Sequence, residues 1–162
     1  MPVTVATPSD TEFSVTRVFN APARLIFDYH TVPERVRKWM LGPDGWSMPV
    51  CEIDLKVGGR YHYLWRNNSD SAQEFGARGQ FKEIVAPSRL VHTEGMYGVP
   101  GAEGEEALCT LTFGEAGGKT TLTTVMKFSS RDARDGAMAS GMADGMSVSY
   151  DRMEAAMSEK VG

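Results

Sequence analysis

Long apolar runs are missing from this chain, and none approaches the roughly 20 residues that a membrane-spanning helix needs. No membrane partner is therefore expected. An excess of basic charge is missing too: seventeen Lys and Arg stand against twenty-one Asp and Glu, a net charge of −4, with no basic block. Nothing here offers nucleic acid or an anionic bilayer an electrostatic footprint. Cysteine is scarce, with only Cys51 and Cys109, each inside an alternating apolar segment. A reducing compartment leaves such residues as small core hydrophobes. The three histidines, His30, His62 and His92, are scattered without metal-ligand spacing, so neither a metal nor another cofactor is expected. A nucleophile elbow, a dinucleotide fingerprint and a phosphate-cradling glycine loop are all absent from the sequence. The N-terminal MPVTVATPSDTEF has neither the basic nor the apolar region of a signal peptide, which makes the cytoplasm the expected location.

What remains is an ordinary globular composition, 41% hydrophobic and 23% charged over 162 residues, which suits one domain. Residues 1–12 read as a flexible lead-in and 13–158 as the folded unit. Phe13, Val15, Arg17 and Phe19 alternate with polar neighbours as a strand, and Pro22 suits the start of a helix carrying Leu25, Ile26 and Tyr29. A second short helix is predicted from Pro33 to about Met40. Period two returns with Cys51, Ile53, Leu55 and Val57, then Gly58-Gly59 supplies a hairpin turn into Tyr61, Tyr63 and Trp65. Further strands are predicted near Glu74–Val85, Arg89–Glu94, Glu106–Gly114 and Thr120–Ser129. After Arg131 the spacing becomes helical. Met138, Met142, Met146, Tyr150, Met153 and Met157 recur at three or four residues, fitting one amphipathic helix of about 25 residues and roughly 38 Å. The fold class is α+β: a curved antiparallel sheet of about seven strands, two short helices after the first, and a long C-terminal helix packed across it.

Five segments then carry a resemblance: RVFNAP at Arg17–Pro22, TVPERVRKWM at Thr31–Met40 followed by Gly42-Pro43, DLKVGGRYHY at Asp54–Tyr63, GQFKEIVAPSRLV at Gly79–Val91, and GMSVSYDRM at Gly145–Met153. Together and in this order they resemble the helix-grip, START-like (SRPBCC) superfamily, in the branch similar to the C-terminal domain of the heat-shock-protein-90 ATPase activator. The resemblance implies the helix-grip fold and, across the superfamily, roles ranging from lipid carriage to cyclase chemistry. Chaperone stimulation follows only weakly, because the N-terminal domain that serves that interaction in eukaryotic activators is not expected ahead of residue 1. His30 and Met146 stand where the family usually has Trp, which implies a smaller or more adaptable cavity wall.

The residues themselves point to a pocket between sheet and helix. Trp39, Trp46, Tyr61, Tyr63, Trp65, Phe81, Met126, Met138, Met142 and Met146 are the candidate ligand-binding residues, and each also serves as core packing in the plainer reading. Gly141 and Gly145 on the helix suggest close approach to the sheet or missing side-chain volume. An unfilled apolar cavity of about 300 Å³ would cost on the order of 7 kcal/mol, so the interior either collapses or holds water and ligand. Non-enzymatic binding of a small apolar or amphipathic molecule is the foremost functional reading. A cyclase, dehydratase or hydrolase using His92, Glu94 or His30 as acid and base is one alternative, although exposed strand-edge positions are the commoner explanation of His92 and Glu94. A chaperone-associated or regulatory protein is the other, and the sequence leaves a homodimer open. The loop from Gly95 to Gly104, with Met96 and Tyr97, reads either as a mobile lid or as a long hairpin loop.

Overall fold

Strict alternation of buried and water-facing residues builds most of the sheet. In the computed structural model, which describes residues 3–42, 44–102 and 104–158, the strands are β1 (Thr4–Ser9), β2 (Glu12–Phe19), β3 (Trp46–Ile53) and β4 (Arg60–Asn67). They continue with β5 (Glu74–Val85), β6 (Arg89–Tyr97), β7 (Glu106–Ala116) and β8 (Lys119–Lys127). All neighbours are antiparallel, in the order β1-β2-β8-β7-β6-β5-β4-β3. This is an α+β helix-grip architecture. The helices α1 (Ala23–Thr31) and α2 (Pro33–Val36) carry the chain from β2 across to the far edge at β3. Pro22 cannot cap α1 with a side chain, and Glu115 of β7 does so instead, accepting the Ala23 N–H at 2.8 Å.

Three expectations are corrected. The lead-in is not unstructured: Thr4–Ser9 pairs with β2 from Thr4↔Thr16 onward and makes the sheet eight-stranded. Its residues are all exposed, so no apolar alternation advertised it. The second short helix ends at Val36 and not near Met40. Likewise β3 stops at Ile53, leaving Leu55 and Val57 exposed in the connection to β4. Within that connection Asp54 pairs with Lys56, and its N–H meets the Arg60 carbonyl.

The expected long terminal helix is two helices, α3 (Arg131–Ala139) and α4 (Met142–Ser158), separated at Ser140-Gly141. Gly141 takes φ +83°, which interrupts the helix at a conformation side chains rarely adopt. Ser130 caps α3 by accepting the Ala133 N–H, and Arg134 ties α3 to β1 through the Ser9 carbonyl at 2.7 Å.

One buried cation fixes α4. Arg17 points inward from β2 among Phe13, Val15 and Phe19, with its side chain wholly removed from water. Its Nη1 lies 2.8 Å from Asp151 and donates to the Ser147 carbonyl at 3.3 Å, while Nη2 is 3.1 Å from Glu154. The Nη2–Glu154 contact is one of charge and not of hydrogen-bond geometry, and Nε has no hydrogen-bond partner. Such a guanidinium is tolerable only with its counter-ions in place. Arg17→Ala should lower unfolding stability by about 3 kcal/mol in urea titration; a loss below about 1 kcal/mol would show that α4 is held by its apolar contacts alone.

Candidate functional site

Below α4 the sheet is lined with aromatic rings. Tyr61, Tyr63 and Trp65 project from one face of β4, their rings following one another at centroid separations of 5.0 and 5.9 Å. Phe81 of β5 joins the row at 5.6 Å from Tyr61. These side chains cannot swing freely. The indole N–H of Trp65 donates to the Met40 carbonyl and that of Trp39 to the Tyr29 carbonyl, both at 2.8 Å. Tyr61 donates its hydroxyl hydrogen to the Thr93 carbonyl at 2.6 Å. It reaches that carbonyl because position 79 is glycine: a Cβ there would collide with the Thr93 oxygen and press on the Tyr61 ring.

Across from this wall lies the start of α4, and between them is a cleft of about 770 Å³. Its helical side consists of Gly141, Met142, Gly145, Met146, Val148 and Tyr150. Met126 and Thr124 of β8 with Cys109 and Leu111 of β7 form the floor, and His30 and Trp39 close one end. Asp44 and Val148, both exposed, mark its opening to water. There Arg152 spans the gap, donating to the Gly42 carbonyl at 2.6 Å and pairing with Asp44 at 2.9 Å. Because the space reaches solvent, it escapes the energetic cost of a sealed void.

Neither Gly141 at the helix break nor Gly145 within α4 owes anything to close packing, since a Cβ at either would meet nothing within 4 Å. What they contribute is missing volume. Of the expected ligand-binding residues, Trp39, Tyr61, Tyr63, Trp65, Phe81, Met126, Met142 and Met146 do line the cleft. Two do not. Trp46 packs on Phe75 at 5.3 Å, outside the cleft lining, and Met138 lies on α3 before the break, 36% exposed. Met153 and Tyr150 are core, the latter wedged between Phe19 and Trp39 with its hydroxyl pushed up to about 12 by burial.

His92 and Glu94 are also corrected: they are not edge residues, because β6 lies between β5 and β7, and both face the cleft. His92 Nδ1 sits 3.0 Å from the Thr93 carbonyl and 3.1 Å from the Tyr61 hydroxyl. A carbonyl only accepts, so Nδ1 is assigned the hydrogen and Nε2 keeps its lone pair. Burial, with Glu94's charge next, pushes the Tyr61 hydroxyl far up and keeps it protonated. His62 lies on the opposite face, bonded to the Tyr97 hydroxyl at 2.6 Å. The Gly95–Gly104 segment is divided between strand and loop, for Met96 and Tyr97 belong to β6. Met96 faces the cleft in phase with Leu90, His92 and Glu94, an alternation that extending the strand by two residues would have disclosed. Arg152, Asp44 and Thr124 gave no comparable signal, as their places depend on how distant segments meet.

His30 is enclosed at the closed end, its Nδ1 donating to the Ile26 carbonyl at 2.8 Å and its ring 4.9 Å from Trp39. Burial holds its pKa down to about 4, with His92 a minor contributor. The folded state thus refuses a proton that the unfolded chain accepts near 6.5. Stability from this residue is complete above pH 6.5 and is lost as pH falls toward 4, by about 3 kcal/mol in all. His30→Phe should flatten that part of the stability profile in denaturant titrations from pH 7 to 4; an unchanged slope would contradict the assignment.

Gly141 and Gly145 should respond oppositely to alanine. Gly141→Ala, at positive φ, should lose about 1 kcal/mol, whereas Gly145→Ala inside the helix should gain up to about 1 kcal/mol. Thermal denaturation distinguishes them, and a destabilised Gly145→Ala would mean that the space beside it is not open.

Comparisons with known proteins agree with this fold. A family described as Activator of Hsp90 ATPase homolog 1-like protein matches residues 20–158. A crystal structure from Rhodobacter sphaeroides is 24% identical, covers 99% of this chain and 100% of its own, and superposes with a TM-score of 0.89. One from Mycobacterium smegmatis is 23% identical over 99% and 100% of the two chains, with a TM-score of 0.82. A solution structure from Arthrobacter aurescens is 22% identical over 100% and 95%, with a TM-score of 0.81. At these identities the likeness is one of fold. No curated protein matches the chain, and among the described residues no helix is long and apolar enough to cross a membrane.

Proposed function

The chain belongs to the Activator of Hsp90 ATPase homolog 1-like family, and we propose that within it this protein binds a small apolar or amphipathic molecule, without chemical conversion, in the cleft under α4. The observation that carries this reading is the pairing of a fixed aromatic wall with a compliant one. Trp39 and Trp65 are held by indole hydrogen bonds, while Met142 and Met146 opposite them can adjust to a guest. A cavity of about 770 Å³ is in the size range of small-molecule sites. Dispersion contacts and the release of apolar surface from water supply the affinity, and the few polar groups orient the guest.

A thermal-shift series of 4-alkylbenzyl alcohols with lengthening chains tests the reading. Binding stabilises by RT ln(1 + [L]/Kd), about 2.7 kcal/mol at one hundred times Kd. The melting temperature should rise with chain length until the cleft is full. Met146→Trp, which fills the space, should fold normally and lose the shift. If no alcohol in the series moves the melting temperature of the unaltered protein, the binding function fails.

A second reading rests on His92 and Glu94, which place a proton acceptor and a carboxylate beside the same guest and would suit acid–base chemistry on it. A chaperone contact draws only on the family's description.

A further inference from the structure

The cleft contains three fully charged side chains, and they do not cancel. Asp44 and Arg152 neutralise each other at the mouth, 2.9 Å apart. The Glu94 side chain of β6 has neither an ion pair nor a hydrogen bond among the described residues, yet it faces the cleft. The buried guanidinium of Arg17 is committed to Asp151 and Glu154 under α4. After burial, Glu94's negative charge is what most holds the protons on Tyr61 and Cys109, so its field reaches across the cleft floor. The surrounding polar groups lean the same way. Tyr61 has given its hydrogen to the Thr93 carbonyl, and His92 offers the lone pair of Nε2. Tyr63, another lining residue, has a hydroxyl that can donate or accept.

We propose that the ligand of this cleft carries a protonated amine on an apolar body, its ammonium placed against the Glu94 carboxylate with a second hydrogen directed to His92 Nε2. This rests on the binding reading above and specifies the chemistry of that same site. An ammonium supplies both the positive charge and the several hydrogens that a carboxylate and an imidazole lone pair can receive. A carboxylate guest of equal shape would set anion beside anion in apolar surroundings, where Coulomb repulsion is poorly screened. A neutral alcohol satisfies one acceptor and leaves the charge unmatched.

Three probes sharing one body test this: 4-butylbenzylamine, 4-butylbenzyl alcohol and 4-butylbenzoate, titrated calorimetrically at neutral pH against the unaltered protein and Glu94→Gln. The unaltered protein should bind the amine at least about tenfold more tightly than the benzoate, with the alcohol between them. Glu94→Gln should weaken the amine about tenfold more than it weakens the alcohol; its melting curve reports whether it folds. The ranking in the unaltered protein needs no variant. Equal or tighter binding of the benzoate, or an amine indifferent to Glu94→Gln in a folded protein, overturns the proposal while the binding function stands. Failure of all three probes to bind takes both away.

Discussion

A guanidinium with no access to water governs where the terminal helix can lie. Arg17 occupies an inward position on β2 that its neighbours Val15 and Phe19 fill with carbon. A charge there is tolerable only if acidic groups come to it, and α4 brings Asp151 and Glu154, three residues apart on one helical face, with the Ser147 carbonyl one turn earlier. The helix is therefore pinned at the β2 side of the sheet. From the other side Arg152, the residue after Asp151, reaches the Gly42–Asp44 segment. Two arginines thus hold α4 from both sides, the second of them at Gly42, which lies beside the Trp65 indole of β4.

The hollow follows from that placement. With its position set by ion pairs at both flanks, α4 has no freedom to settle onto Tyr61, Tyr63 and Trp65, and the residues it turns toward them are small or flexible. Larger side chains at positions 141 and 145 would take up the gap; glycine leaves it open, and the positive φ of Gly141 separates α4 from α3. The opposite wall resists collapse for a different reason. Its large rings are tied by N–H and O–H bonds to backbone carbonyls, so inward movement would orphan buried polar groups.

How much of this the sequence disclosed varied with how local the cause was. Alternation placed Tyr61, Tyr63 and Trp65 on one face, and Leu90, His92 and Glu94 on another, because side-chain direction in a strand depends only on phase. Whether β6 was an edge depended on which strands it paired with, and phase carries no such information. That is why the sequence favoured reading His92 and Glu94 as exposed edge residues. The first strand was invisible because β1 buries nothing and is recognised only by its pairing with β2. Methionine spacing ran unbroken through Ser140-Gly141, so the periodicity predicted one helix where backbone conformation makes two. Arg17 was in the alternation from the outset, but its partners lie some 130 residues away. Trp46 and Met138 erred through proximity alone, adjacent in sequence to lining residues and outside the cleft in space.

The hollow between α4 and the aromatic strands is the claim on which the rest turns, and methionine-methyl NMR during titration with 4-butylbenzyl alcohol tests it most directly. If the cleft is the site, the methyl resonances of Met126, Met142 and Met146 move saturably together, and those of core Met153 and outlying Met138 stay in place. Resonances that remain still at Met126, Met142 and Met146, or that move only at Met138, would contradict it.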